Sequence, residues 1–425
     1  MKLLQPLLLN LVILINIIDV GGQEKYELSE FLREGLERNY SLQIARNSQE
    51  ITENNFTRGN AGFLPVIDLS TRHTRSSTGI YNATTNAGLD LHWNLFSGFR
   101  VKTTYSRLEE LKYLGELSTR LALERFIAQT ASEYYNLIQQ SRQLNNLEYA
   151  VSLSRERYRI DEERYQIGSG SRLQMLQSRV FLNADSSRLA RQHEVLRASN
   201  IRLNELIGAD DFEVLTGAAD TSIIVNNNLT YEELYTLTVE QNTNLLISSG
   251  NQAISEYDRK IIESRTYPYV NLNAGYGYRV NTSQAGTVPS QETLGSNYGL
   301  TLGINLFDGF NRRRELANAE IEIESRELSY QQVLQEVKAD LVTIFRSYEN
   351  NLILLKMEYE NLETARENMD IAFERYRLGA LAGIELREVQ QSLLEAEERL
   401  LSIQYQTKLA EISLLQISGR IMEYI

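Results

Sequence analysis

Thirteen residues of this chain return later almost unchanged. Gly88-Leu-Asp-Leu-His-Trp-Asn-Leu-Phe-Ser-Gly-Phe-Arg100 reappears as Gly299-Leu-Thr-Leu-Gly-Ile-Asn-Leu-Phe-Asp-Gly-Phe-Asn311, with 8 of 13 positions identical. The same offset of 211 carries Arg164, Tyr165 and Gly168 onto Arg375, Tyr376 and Gly379, and Gly208 onto Gly419. A fixed offset over two motifs marks an internal repeat, and overlooking it would misassign the whole fold. The chain therefore divides into a first structural repeat over 23–208, a linker over 209–229 and a second repeat over 230–425. Each runs in the same order: short strands, an Asn-Leu-Phe-x-Gly-Phe turn, a very long helix, an Arg-Tyr-x-x-Gly turn and a returning helix.

Most of the chain reads as helix, over 26–60, 100–167 and 171–207 in the first repeat and 230–265, 309–378 and 383–418 in the second. Residues 100–167 hold no proline and one glycine, Gly115, whereas 311–378 hold neither. At about 1.5 Å per residue, each long helix would reach roughly 100 Å, beyond any globular domain. Leu355, Tyr359, Leu362, Met369, Phe373 and Tyr376 keep heptad spacing, and Leu386, Val389, Leu393, Ala396, Leu400 and Ile403 continue it. Such seams mean helix-on-helix packing. The two short helices of each repeat together match one long helix in length, so they are expected to stack end to end beside it.

Four stretches alternate with period two, over about 64–75, 87–96, 268–280 and 297–307. Val270, Leu272, Ala274, Tyr276 and Tyr278 interleave with Asn271, Asn273, Gly275, Gly277 and Arg279; Leu89, Leu91, Trp93 and Leu95 interleave with Asp90, His92 and Asn94. Each has the length of a transmembrane β-strand, apolar on one face and polar on the other. Turn-rich loops are expected over 76–86 and 281–296. Trp93, Phe96 and Phe99, with Phe307 and Phe310, cluster at the strand-to-helix junctions, where an interfacial aromatic girdle would sit. Four strands cannot close a barrel, because small barrels need about eight. A membrane barrel would have to be shared among subunits.

The amino-terminal residues 1–22 read as a secretory signal peptide, with Met1-Lys2 followed by an apolar run. The chain has no cysteine, which excludes disulfides and acylation at a mature amino-terminal cysteine. A net charge of −13 without a basic cluster argues against nucleic acid as a partner. There is no phosphate-cradling glycine loop and no nucleophile elbow, and no cofactor is implied. His73 and His92 fall on opposite faces of a hairpin, which speaks against a metal site. A secreted or periplasmic coiled-coil structural protein would explain the helices and the acidity, but not the strands or the repeated aromatic junctions.

With both motifs present twice at a constant offset, the mature chain resembles the TolC-type outer membrane efflux proteins over essentially its whole length. The resemblance implies a mainly α fold with a small β part: a homotrimer with a shared 12-stranded outer-membrane β-barrel continuous with a long periplasmic α-helical barrel. It implies no catalysis, but a passive exit duct in the outer membrane of a Gram-negative bacterium, in contact with outer-membrane lipid. The implied partners are a periplasmic membrane-fusion adaptor and an inner-membrane transporter of RND, ABC or MFS type. It makes the turns at Arg164, Tyr165 and Gly168 and at Arg375, Tyr376 and Gly379 the adaptor-docking tip. It also places Glu385 and Glu388 at the narrowest aperture. The chain departs from the family pattern where a closing arginine and an acidic partner are expected, carrying Leu381 and Gln174 instead. A neutral Tyr376–Gln174 hydrogen bond is then the expected closed-state contact.

Overall fold

The computed structural model describes residues 25–77, 81–283 and 290–424. The expected signal peptide lies outside them. In chain order the first repeat contributes β1 (Lys25–Tyr26), α1 (Leu28–Arg38), α2 (Tyr40–Asn55), α3 (Arg58–Ala61), β2 (Val66–Ser77), β3 (Tyr81–Ser97), α4 (Arg100–Gln166) and α5 (Arg172–Ile207). The link contributes β4 (Gly217–Ala218). The second repeat follows with α6 (Tyr231–Gln241), α7 (Thr243–Ser264), β5 (Tyr269–Ser283), β6 (Ser290–Gly303), α8 (Asn311–Arg377), α9 (Gly383–Ile417) and a final 3-10 turn, Ile421–Tyr424.

The helices form a wall. α2 and α5 lie end to end along one side of α4, α7 and α9 do the same between α4 and α8, and α8 is left at the far edge. Residues 26–60 and 230–265 are not single helices as expected, because Asn39 and Asn242 each break the chain with extended ψ values of 120° and 118°. The Oδ1 of Asn39 caps α2 by accepting from Leu42 N at 3.1 Å, and its Nδ2 donates to Leu206 O at 2.8 Å. Asn242 repeats both contacts, with Leu245 N at 3.2 Å and Ile417 O at 2.9 Å. Asparagine wins over helix continuation here because one side chain satisfies both an orphan helix donor and an orphan helix acceptor.

The four long strands form one antiparallel sheet in the order β2-β3-β5-β6. The strands are longer than the hydrophobic pattern indicated. Residues 76–77, 81–86, 281–283 and 290–296 belong to them rather than to loops. Asn82, Thr84 and Asn86 are no apolar alternation, yet backbone pairing asks only for available N–H and C=O groups. The tips of the expected loops, 78–80 and 284–289, lie outside the described residues. Strand pairing of β6 stops at Gly303 rather than continuing to residue 307, because its last partner is Tyr269 at the start of β5. β3, in contrast, extends to Ser97 through a bulge between Asn94 and Phe96.

The best-packed core lies where the linker wraps the middle of the wall. Phe31, Ile127, Tyr134, Leu203, Leu234, Leu341 and Leu414 are fully enclosed there. β1 pairs with β4, the Tyr134 hydroxyl donates to Asp220 Oδ2 at 2.8 Å, and the Tyr348 hydroxyl donates to Asn226 O. Lys408 and Glu411, both buried, pair at 2.8 Å, and Glu411 accepts from Asn226 N at 2.9 Å.

Candidate functional site

Each long helix ends in the same glycine turn. Gly168 and Gly379 take φ values of 76° and 75°, and the amides that follow return to the helix: Ser169 N to Arg164 O at 2.8 Å, Ala380 N to Arg375 O at 2.9 Å. This is the left-handed cap that glycine adopts without steric cost. The two arginines then part company. Arg164 reaches across to the other repeat, donating to Tyr376 O at 2.7 Å and lying 5.0 Å from the Tyr376 ring centroid. A cation on the exposed carbonyls of α8 complements that helix terminus. Arg375 bends back onto its own turn, at 3.4 Å from Ala380 O. Tyr165, Ile167 and Leu378 are left facing outward.

The Tyr376 hydroxyl does not meet Gln174. Gln174 is committed to the start of α5, where its Oε1 accepts from Ser171 N while its own N–H donates to Ser171 Oγ. Tyr376 donates instead to Asp161 Oδ1 on α4. Arg157, nearly buried, stands 4.0 Å from Asp161 Oδ2 and 6.0 Å from the Tyr376 ring centroid. Burial first, then Asp161, push the Tyr376 hydroxyl pKa up to about 12. Charge is thus present beside the tip, but it comes from within α4 rather than from the turn. Leu381, at the arginine position, packs on the apolar seam of α8 and α9.

A second link between the repeats lies deeper. Arg387 grips Asp185 with both terminal nitrogens, at 2.7 and 2.9 Å, and both residues are buried, as are Ser154 and Gln390. Ser154 Oγ donates to Asp185 Oδ2 at 2.5 Å, and Gln390 Nε2 donates to Ser154 Oγ at 3.0 Å. This network ties α5 to α9 across α4. Its signal in the sequence is a polar residue every seven along α5: Ser178, Asp185, Gln192 and Ser199, each buried. α9 repeats it with Gln390, Glu397, Gln404 and Glu411, and Ser418 at its C-cap continues it. These polar heptads run parallel to the apolar seams and share their period.

Glu385 and Glu388 stand exposed on α9 beside buried Leu386 and Arg387, and neither carboxylate has a partner among the described residues.

At the opposite end, cross-strand pairing sorts the sheet into two surfaces. Ser70, Gly88, Gly277 and Gly295 share one face with Asp90, His92, Asn273 and Thr301; Leu69, Leu89, Tyr276, Leu300 and Leu302 share the other with Trp93. His73 and His92 bond to Thr85 and Asn273 on opposite faces, and among the described residues no cluster fit for a metal occurs. Among the described residues no helix covers the apolar face, and Leu69 and Tyr298 are 78% and 87% exposed. The bulge turns Phe96 onto that face. Trp93 Nε1 donates to Phe63 O at 2.9 Å, Phe96 meets Phe99 edge-on at 5.4 Å, and Phe307 meets Phe310 in the same way at 5.3 Å. No helix is long and apolar enough to cross a membrane among the described residues.

Comparison with known proteins gives the same picture. A model of the outer membrane efflux protein family matches residues 31–209 and, separately, 234–420. Nodulation protein T of Rhizobium leguminosarum bv. trifolii is 20% identical over 388 residues, which cover 86% of this chain and 79% of that protein. The outer membrane efflux protein BepC of Brucella suis is 18% identical over 403 residues, covering 92% and 86%. The CmeC outer membrane channel of Campylobacter jejuni superposes with a TM-score of 0.79 at 18% identity, covering 92% of this chain and 85% of that one. A repeated strand–long-helix chain, matched by the model once in each repeat, belongs to the outer membrane efflux protein family.

Proposed function

We propose that this outer-membrane efflux protein is the passive exit duct of a tripartite efflux or type I secretion assembly, built as a homotrimer around a shared 12-stranded barrel. One observation carries the reading: among the described residues the four-stranded sheet has an apolar face with nothing over it and two edges, β2 and β6, with no strand paired to them. Unpaired edges and uncovered apolar strands are stable only if other chains or lipid complete them. The helical wall has the same two free edges. Tyr40, Ile44, Leu173 and Val180 on one and Ile321, Leu328 and Ile353 on the other are exposed apolar residues awaiting a partner. Because the two edges differ, each copy offers a different surface to the copies on either side, and such heterologous contacts form a ring when the rotation between copies closes.

The tip turns then face the periplasm and receive the membrane-fusion adaptor, which links the duct to an RND, ABC or MFS transporter. Gly168 has no atom within 4 Å of where a Cβ would stand, so that surface is open for docking. Glu385 and Glu388 of three chains would surround the aperture and favour cations. The tip contacts of Tyr376 and Arg164 and the Arg387–Asp185 pair would hold the closed state, and the adaptor would release them.

The test is the native mass of protein extracted in detergent from a purified outer-membrane fraction. A trimer is expected. A monomer free in the periplasmic fraction would overturn both the barrel and the duct.

A further inference from the structure

The two strand-to-helix junctions each carry an open cleft. In the first repeat Leu95, Phe96 and Phe99 line a cavity of about 290 Å³ together with Lys102. In the second, Leu306, Phe307 and Phe310 line one of about 610 Å³ together with Arg313. These positions correspond one to one at the offset of 211. Lys102 and Arg313 are exposed, and neither has an ion pair, hydrogen bond or ring contact among the described residues. Of the neighbouring carboxylates, Asp308 accepts from Arg312 N at 3.0 Å and Glu315 pairs with Arg265 at 2.6 Å, while Glu320 also lines the cleft.

These cations stand in the first turn of their helices, where the helix field disfavours positive charge. Helix stability therefore does not explain a cation retained at the same position in both repeats of an acidic chain. Each is placed at the border between the apolar sheet face and the helical wall, beside aromatic side chains that continue the apolar face. We propose that each cleft binds one phospholipid of the periplasmic leaflet, with its phosphate on Lys102 or Arg313 and an acyl chain against the leucine and the two phenylalanines. Charge complementarity selects the phosphate, and continuity with the lipid-facing surface selects a lipid over a free anion, which would leave the aromatic wall bare. The inference rests on the sheet being the membrane segment.

The experiment measures phospholipid bound to detergent-extracted protein by native mass spectrometry, titrating with dioleoyl phosphatidylglycerol. Wild type should hold two lipids per chain that resist washing. K102Q and R313Q should each weaken one of the two sites about tenfold, the scale of one charge-assisted contact, and K102Q/R313Q should weaken both. K102R/R313K should stay near wild type. Unchanged retention in K102Q/R313Q overturns the assignment, and so does complete displacement by inorganic phosphate. All variants are followed in the outer-membrane fraction. A failure of the membrane reading shows as wild-type protein missing from that fraction, and a failure of the clefts as unaltered retention by an inserted variant.

Discussion

Glu397 is a carboxylate caught in the polar heptad of α9, 3.4 Å from Arg366 and with its second oxygen unbonded among the described residues. Burial raises its pKa above the usual carboxylate value, with Arg366 opposing the shift. The folded state therefore binds this proton more tightly than the unfolded chain. Stability associated with Glu397 is greatest below the unfolded pKa and falls as pH climbs through the gap between the two values. Glu397→Gln should flatten that decline, read as Tm between mildly acidic and neutral pH; an unchanged slope would remove Glu397 from the account. Glu385 and Glu388 are the opposite case, exposed and uncommitted. Glu385→Gln with Glu388→Gln should weaken cation preference in single-channel recordings, and unaltered selectivity would return both to an ordinary solvated helix face. That they share one helix face was legible from spacing alone, since positions three apart lie on the same side. The Tyr376 partner was not. Gln174 looked available in sequence, but the start of α5 consumes it, and Asp161 lies seven residues upstream of Gly168 within a seam whose neighbours are on other helices.

At the scale of elements, the tip turns and the Arg387–Asp185 link can be tested separately. Replacing Gly168 and Gly379 by tryptophan forces a left-handed conformation on a side chain, at roughly 1–2 kcal/mol each. At Gly379 the nearest atom to a new Cβ is Arg164 Nη2 at 3.9 Å, so no clash accompanies the strain. Folded protein should therefore persist while export fails, measured as outer-membrane yield against accumulation of an exported dye; normal export would remove docking from these turns. Asp185→Ala or Arg387→Ala should each cost about 3–5 kcal/mol, because the remaining charge is stranded in a buried seam. The double variant should cost much less than the sum, a coupling that urea titration of a mutant cycle reads directly. Helix type and length were clear from the absence of proline and the sustained seams. The breaks at Asn39 and Asn242 were hidden, because their hydrogen-bond acceptors, Leu206 O and Ile417 O, belong to helices more than 160 residues away.

For the whole molecule, the open edges make a geometric demand. The chain has no native cysteine, so pairs introduced along β2 and β6 start from a clean background. β2 and β6 are separated by two intervening strands within one chain. Oxidation should therefore produce crosslinked dimers and trimers on a denaturing gel, with yield alternating along the strand as side chains point to opposite faces. Only intrachain products, or none at any register, would contradict ring closure. The same two edges run on through the helical wall, so a single mode of contact would build both barrels.

The duplication, the long helices, the two-faced strands and the motifs at their ends could all be read along the chain. All of these are local periodicities or repeats at a constant offset, and they need no knowledge of neighbours. Where polar side chains spend their hydrogen bonds emerged with packing: Tyr376 on Asp161, Arg387 on Asp185, Asn39 and Asn242 on distant carbonyls. It also set the true reach of the strands, since pairing is a property of two backbones rather than of one hydrophobic pattern. Those choices turn on which helix faces which. A buried polar group takes whatever partner packing brings within about 3 Å, and that proximity is not written along the chain.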